Sequence, residues 1–325
     1  MHVAPWVWLV TVGTASLFLA FDIFVIGRRP HEPSMKETAR ALSLYIGMAI
    51  AFGVGVLLIS GPRYGGEFFA GWLTEYSLSV DNLFIFLIIL AKFGVPRQYQ
   101  QTALLIGIVL ALVLRGVFIA LGAAVISNFS WVFYVFGLFL VLTAVKLAKE
   151  QGDDDEEYSE NAVIRWTKRV LPATDEYHGV RLFVRENGKR LITPMFIVLI
   201  ALGTTDLLFA LDSIPAIYGL TKEPYLVLMA NIFALMGLRQ LYFLIGGLLQ
   251  RLVYLSLGLA VLLAFIGVKL ILHALHENEV PFISGGEHVS WAPDLPIWLS
   301  LTVIIGTLLV TTVASLVHDR RTAGT

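Results

Sequence analysis

Two stretches decide how this chain is read: Glu75-Tyr-Ser-Leu-Ser-Val-Asp81-Asn82 and Asp206-Leu-Leu-Phe-Ala-Leu-Asp212-Ser213. Each places two carboxylates six residues apart, followed at once by a small polar residue, inside an otherwise apolar run. Charged side chains in hydrocarbon are costly, so they face a cavity or a partner and mark functional sites. The surroundings repeat as well. Arg115 and Arg239 each lie in the middle of the next apolar run, and Val145-Lys146-Leu147 is echoed by Val268-Lys269-Leu270. The offsets between matched positions are 131, 131, 124 and 123 residues. An acid pair, an arginine and a lysine recurring in the same order point to two copies of one three-helix unit.

Working outward, apolar runs of membrane-spanning length recur along the whole chain. Of its 325 residues, 57% are hydrophobic and 14% charged, against about 45–50% apolar and 25% charged in soluble domains. About 20 apolar residues cross a bilayer as a helix, and lipid leaves no other way to satisfy the backbone of such a run. Outer-membrane strands would be shorter and alternate in polarity. Nine spans are expected, near residues 3–26, 38–60, 68–91, 103–125, 130–148, 193–218, 225–247, 252–274 and 296–317. The third depends on drawing the polar stretch before Leu83 into the membrane. The first lacks a basic leader and a cleavage site and is followed by Arg28 and Arg29, so it reads as a retained helix.

Basic residues set the orientation. With the N-terminus outside and the C-terminus inside, 18 lysines and arginines fall on the inner side and 2, Arg63 and Lys222, on the outer. Three more, Arg115, Arg239 and Lys269, lie within spans. That asymmetry is the positive-inside pattern. In this topology the third span runs inward and the sixth outward, so the two units, spans 3–5 and 6–8, are inverted repeats. The expected fold is therefore all-α and polytopic. Residues 1–67 carry the first two helices, 68–148 the first repeat, 149–192 a cytoplasmic loop, 193–274 the second repeat, and 275–325 an outer loop, the ninth helix and the tail.

The loop opens on an acidic run, Asp153–Glu157, read as a solvated linker, and continues through an amphipathic stretch, Ala162–Leu171. It closes on two alternating runs around Asn187-Gly188, a favoured two-residue hairpin turn, which predicts a β-hairpin over Val180–Ile192. The outer loop carries His276, Glu277, Glu279, Glu287 and His288 without ligand spacing. Asp22 lies near the inner end of the first span, where a local pair with Arg28 or exposure accounts for it, and Lys146 can snorkel.

Glu75, Asp81, Asn82, Asp206, Asp212 and Ser213 are thus the candidate metal ligands, with Arg115, Arg239 and Lys269 as supporting charge partners. Six residues on an intact helix leave two side chains about 120° apart and about 9 Å along the axis. The acids converge on one point only if the helix unwinds between or beside them. Pro215, three residues beyond Asp212, cannot donate a backbone hydrogen bond and crowds the carbonyl of Leu211, which predicts a break there. Ser77, Ser79, Thr204 and Thr205 add hydroxyls. An oxygen set of this kind suits hard divalent ions such as Mn²⁺, Ca²⁺ or Mg²⁺. Clustered carboxylates raise each other's pKa values and so take up protons more readily, so exchange for H⁺ fits.

Other classes find less support. There is no cysteine, so disulfides, thiolate metal sites and thiol redox chemistry are unavailable. No HExxH, no GxGD and no nucleophile–base pairing suggests an enzyme, no GxxxxGK[ST] loop suggests a nucleotide-driven pump, and no nucleic-acid partner or cofactor is expected. A stress-response scaffold that recruits partners through the cytoplasmic loop is the alternative to transport.

At EYSLSVDN and FALDSIPA the sequence resembles the TerC family of integral membrane proteins, a likeness that runs from about Ala41 to Arg321 and includes the TPMF after the hairpin. The family's acidic positions match Glu75, Asp81, Asp206 and Asp212. The resemblance implies a bacterial inner-membrane protein of the Alx-like type, akin to the LysE-type exporters, and Mn²⁺ efflux. It also carries the association with tellurite resistance.

Overall fold

The computed structural model describes residues 3–28, 34–129, 131–150, 162–170, 172–174, 176–186, 189–245, 254–276, 278, 280, 287, 289, 291–293 and 295–322. The acidic run Asp153–Glu157 falls outside them, as do Glu277, Glu279 and His288 and the side chains of Asp22 and Asp81. Eleven helices and two strands follow in order. They are α1 (Pro5–Arg28), α2 (Met35–Ser60), α3 (Pro62–Lys92), α4 (Arg97–Asn128), α5 (Val132–Glu150), α6 (Ala162–Val170), β1 (Phe183–Glu186), β2 (Lys189–Ile192), α7 (Pro194–Tyr218), α8 (Pro224–Met236), α9 (Leu238–Ile245), α10 (Leu255–His276) and α11 (Ile297–Thr322).

Among the described residues eight segments are long and apolar enough to cross a membrane: α2, α3, α4, α5, α7, α8 continued through α9, α10 and α11. The first expected span contributes a shorter apolar stretch, Pro5–Phe18, within α1. Prolines start several helices at a position whose N–H would have no partner anyway: Pro62 in α3, Pro194 in α7 and Pro224 in α8. Ser34 and Thr193 cap α2 and α7, accepting from the backbone N–H of Glu37 and Phe196 at 3.3 and 3.4 Å. Gly61, at φ 98°, turns α2 directly into α3 in a conformation that a side chain would strain.

Two expectations about helix continuity change. The third span starts earlier than residue 68, because Pro62 opens α3 there and brings Glu67 into the helix. The break expected at Pro215 is not present: α7 stays helical through Asp212 and Pro215 to Tyr218. Pro215 stands in the last turn, so its ring frees one carbonyl where the helix is about to end and the remaining ladder holds. The interruption falls in the seventh span instead, at Gly237, between α8 and α9.

α3, α4, α7 and α8 form the centre. α3 packs on α8 and α7, and α4 packs on α7 and α8. Most of Pro224–Leu244 is buried inside the bundle, whereas little of Ile297–His318 in α11 is, and it turns Leu309 and Val310 outward. α5 and α10 pair closely because Gly137 and Gly267 face each other. A Cβ at Gly137 would lie 2.7 Å from the Gly267 carbonyl oxygen. Small residues at such crossings let helix backbones pack in lipid.

Where described, the polar segment between α5 and α7 forms the expected short helix and hairpin. α6 buries Ile164 and Thr167 and exposes Trp166. β1 and β2 pair antiparallel from Phe183↔Ile192 to Glu186↔Lys189, leaving two residues for the turn. The unit is tied to the bundle by the Tyr177 hydroxyl, which donates to the Phe93 carbonyl just beyond α3 at 2.7 Å. Burial pushes this phenol up from 10.0 to about 12. A raised value means that the tie contributes fully below pH about 10 and is lost as pH climbs through about 12. Tyr177→Phe is expected to loosen the unit by about 1 kcal/mol and to abolish that alkaline dependence. Amide exchange across β1–β2 as a function of pH checks both.

Candidate metal-transport site

Two of the expected acids, Glu75 and Asp206, are brought together by one guanidinium. Arg115 is the largest fully buried side chain described, at 0% exposure. A buried arginine is stable only when its fixed fork of donors meets acceptors. From the middle of α4 its Nε donates to Asp206 Oδ2 and its Nη2 to Asp206 Oδ1, both at 3.1 Å, a bidentate pair with α7. Its Nη1 donates to Ser213 Oγ at 3.3 Å and to Asn231 Oδ1 of α8 at 3.0 Å, and forms an ion pair with Glu75 of α3. The Asn231 amide nitrogen donates to the Val227 carbonyl at 3.1 Å, which fixes its oxygen toward the arginine.

Four helices therefore converge on a cluster of two carboxylates, one guanidinium, one amide and one hydroxyl, with a formal charge of about −1. Glu75 is fully buried, and among the described residues its oxygens make no hydrogen bond beyond that ion pair. The hydroxyls of Thr74, Ser77 and Ser79 on the same helix are also buried without a partner among the described residues. Buried polar atoms are ordinarily satisfied, so α3 presents the bundle interior with an excess of unused oxygen.

The other expected residues go elsewhere. With α7 continuous, six residues separate the faces of Asp206 and Asp212. Asp212 is half-buried, accepts from Thr143 Oγ1 of α5 at 3.3 Å, and feels the Lys146 ammonium. Asn82 is buried on α3. Arg239, on α9, is buried beside Gln240, whose amide oxygen in its satisfied orientation accepts from Nη2 at 2.6 Å. Lys269 is buried on α10 and donates to Ser300 Oγ of α11 at 3.0 Å. Between α10 and α11, His276 Nδ1 lies 3.1 Å from the Ala292 carbonyl oxygen, and the Glu287 side chain is exposed. Among the described residues no three acidic or histidine side chains gather in reach of one ion. The convergence is of Glu75 with Asp206.

Three polar residues escaped the sequence reading. Asn231 is the one amide in the apolar run PYLVLMANIFALM and could have been found on that ground. Thr143 gave no signal beyond being a hydroxyl in a span. Glu67 was set outside the third span. It is 6% exposed, takes Arg63 Nε at 2.9 Å and accepts from Thr221 Oγ1 at 2.7 Å.

The family model described as "Integral membrane protein TerC family" matches residues 60–323. The chain is 49% identical over 312 residues to the uncharacterized membrane protein Rv2723 of Mycobacterium tuberculosis, covering 95% of this chain and 78% of that one. It is 37% identical to a membrane protein of Myxococcus xanthus, with 98% and 94% covered. It is 34% identical to a protein of Escherichia coli (strain K12) named "Putative membrane-bound redox modulator Alx", with 98% of each covered. No solved structure matches. The chain is a multi-pass membrane protein that belongs to the integral membrane protein TerC family.

Proposed function

We propose that the protein is a secondary transporter that exports a hard divalent cation, Mn²⁺ foremost, in exchange for protons. One observation carries the reading: Glu75 and Asp206, at matched positions of the two acidic motifs, meet across a single buried guanidinium with Ser213 and Asn231 oxygens beside them. Carboxylate, amide and hydroxyl oxygens are the donors that hard ions prefer. Arg115 is the resident counter-charge. To bind, a cation must take its place between the carboxylates, and the guanidinium re-forms the pair once the ion leaves, which returns the site to its ion-free state.

The reading takes nine spans, an N-terminus outside, a bacterial inner membrane and two inverted repeats, with kinship to LysE-type exporters. Support for the repeats comes from the packing: α3 with α8 answers α7 with α4, and α5 pairs with α10, its own counterpart. Inverted repeats with a midplane site are a common transporter architecture. In that topology α3 runs inward and α7 outward. Asp81 then lies about 9 Å inward of Glu75, and Asp212 about 9 Å outward of Asp206. The four acids become three stations along the membrane normal, with the shared pair in the middle. No catalytic step, cofactor, nucleotide or nucleic acid enters this mechanism; the partners are the ion, the proton and the bilayer. The E. coli relative's name speaks of redox modulation, but this chain offers no thiol for it.

The test is ion-resolved flux in liposomes containing the purified chain, with Mn²⁺, Ca²⁺, Mg²⁺ and Zn²⁺ at two pH values. Mn²⁺ is expected to move fastest, with protons in counterflow. Vesicles as tight to every ion as protein-free ones would leave the loop-scaffold alternative as the better account.

A further inference from the structure

The inner hairpin carries a charge arrangement that its own fold does not explain. Arg185 and Arg190 stand directly opposite each other in the β1–β2 ladder, so both side chains lie on one face. Both are exposed, and among the described residues neither has a carboxylate partner. Like charges directly opposite on a ladder repel. Arg190 is also held in place, its guanidinium carbon 4.3 Å from the centroid of the Phe183 ring. One guanidinium held against an aromatic ring, with a second directly opposite it on the same face, matches a phosphate diester, which the planar fork recognises bidentately.

The position of this face says which phosphate. Phe183 is 41% exposed and packs on Phe196, in the first turn of α7, at a centroid distance of 5.2 Å. One residue before α7, the Thr193 hydroxyl donates to the Arg181 carbonyl at 2.6 Å. The hairpin is therefore bound to the first turn of α7, a helix long and apolar enough to cross a membrane, and with α7 embedded it would stand at headgroup level. Nearby, α6 exposes Arg165, Trp166 and Arg169 together, a pairing of indole and positive charge suited to the interface.

We propose that the hairpin binds the headgroup phosphate of an anionic phospholipid between Arg185 and Arg190, with Phe183 against the upper acyl chain. The hairpin thereby docks the inner loop on the membrane surface. This inference needs the chain to be membrane-embedded and does not depend on which ion it carries.

Native mass spectrometry of the full-length protein titrated with phosphatidylglycerol or phosphatidylcholine tests it. An arginine at an anionic surface adds about fivefold to binding. The first phosphatidylglycerol is therefore expected to bind about 25-fold more tightly than phosphatidylcholine. Arg185→Gln and Arg190→Gln should each cut that preference about fivefold, and the double variant should erase it. Arg40→Gln, an exposed inner-side charge outside the unit, should leave it unchanged and serves as the folding-neutral reference. A double variant that keeps the preference overturns the proposal. So does displacement of the lipid by millimolar inorganic phosphate, which would assign the face to a free anion.

Discussion

Arg115→Ala is expected to lower the protein's stability by about 3–5 kcal/mol, the largest effect of any single substitution in the bundle. The change would leave the carboxylates of Glu75 and Asp206, both essentially unexposed, facing each other with no counter-charge. It would also strip the Asn231 oxygen and Ser213 hydroxyl of their donor. The penalty comes from uncompensated charge rather than lost packing, which makes a specific rescue possible. Arg115→Met combined with Glu75→Gln and Asp206→Asn removes every charge at once and should recover most of the loss, since a buried ion pair replaced by neutral groups of similar size is often near neutral in stability. Arg115→Lys keeps the charge and loses the fork, so it should fall between. Thermal unfolding in detergent ranks the four proteins. A rescue no more stable than Arg115→Ala would mean that the arginine acts through shape alone.

Glu75→Gln and Asp206→Asn are each expected to reduce Mn²⁺ flux by about 100-fold or more while leaving a folded protein. Each removes one of the two carboxylates proposed to meet the ion, and a hard cation taken from water into a bundle needs that charge. Each also converts the cluster from about −1 to neutral, so the remaining carboxylate stays satisfied by Arg115 and the fold should tolerate the change. Asp212→Asn, at an outlying station with a single hydroxyl donor in Thr143, should slow transport less severely. Flux in reconstituted vesicles measures all three. Deletion of residues 153–157, in the inner loop, should leave flux intact. If that deletion abolished activity while the acid variants worked normally, the loop rather than the acids would hold the function.

Much of the fold was legible because membrane sequence is constrained one residue at a time. The length and apolarity of the runs gave the spans, and Asn187-Gly188 between alternating runs gave the hairpin, because the turn chemistry admits few alternatives. The site was legible as a list of acids and less so as a geometry. Proline was taken to break α7, but position matters: in a last turn it interrupts little, whereas Gly237, between α8 and α9, marked the real interruption. Arg115, Arg239 and Lys269 were all legible as charge partners, but the sequence does not say which acid each one meets. Arg115 meets both Glu75 and Asp206, while Arg239 lies against Gln240 and Lys269 donates to Ser300. Glu67 was missed because hydropathy placed the start of the third span after it, when Pro62 opens the helix earlier.

Equilibrium binding of Mn²⁺ to the purified protein tests most directly whether the Glu75–Asp206 pair is the seat of the ion. The native chain should bind Mn²⁺, with Arg115→Met binding it more tightly because the competing charge is gone, and Asp206→Asn losing it. Equal affinity in all three proteins would place the ion elsewhere and contradict this account.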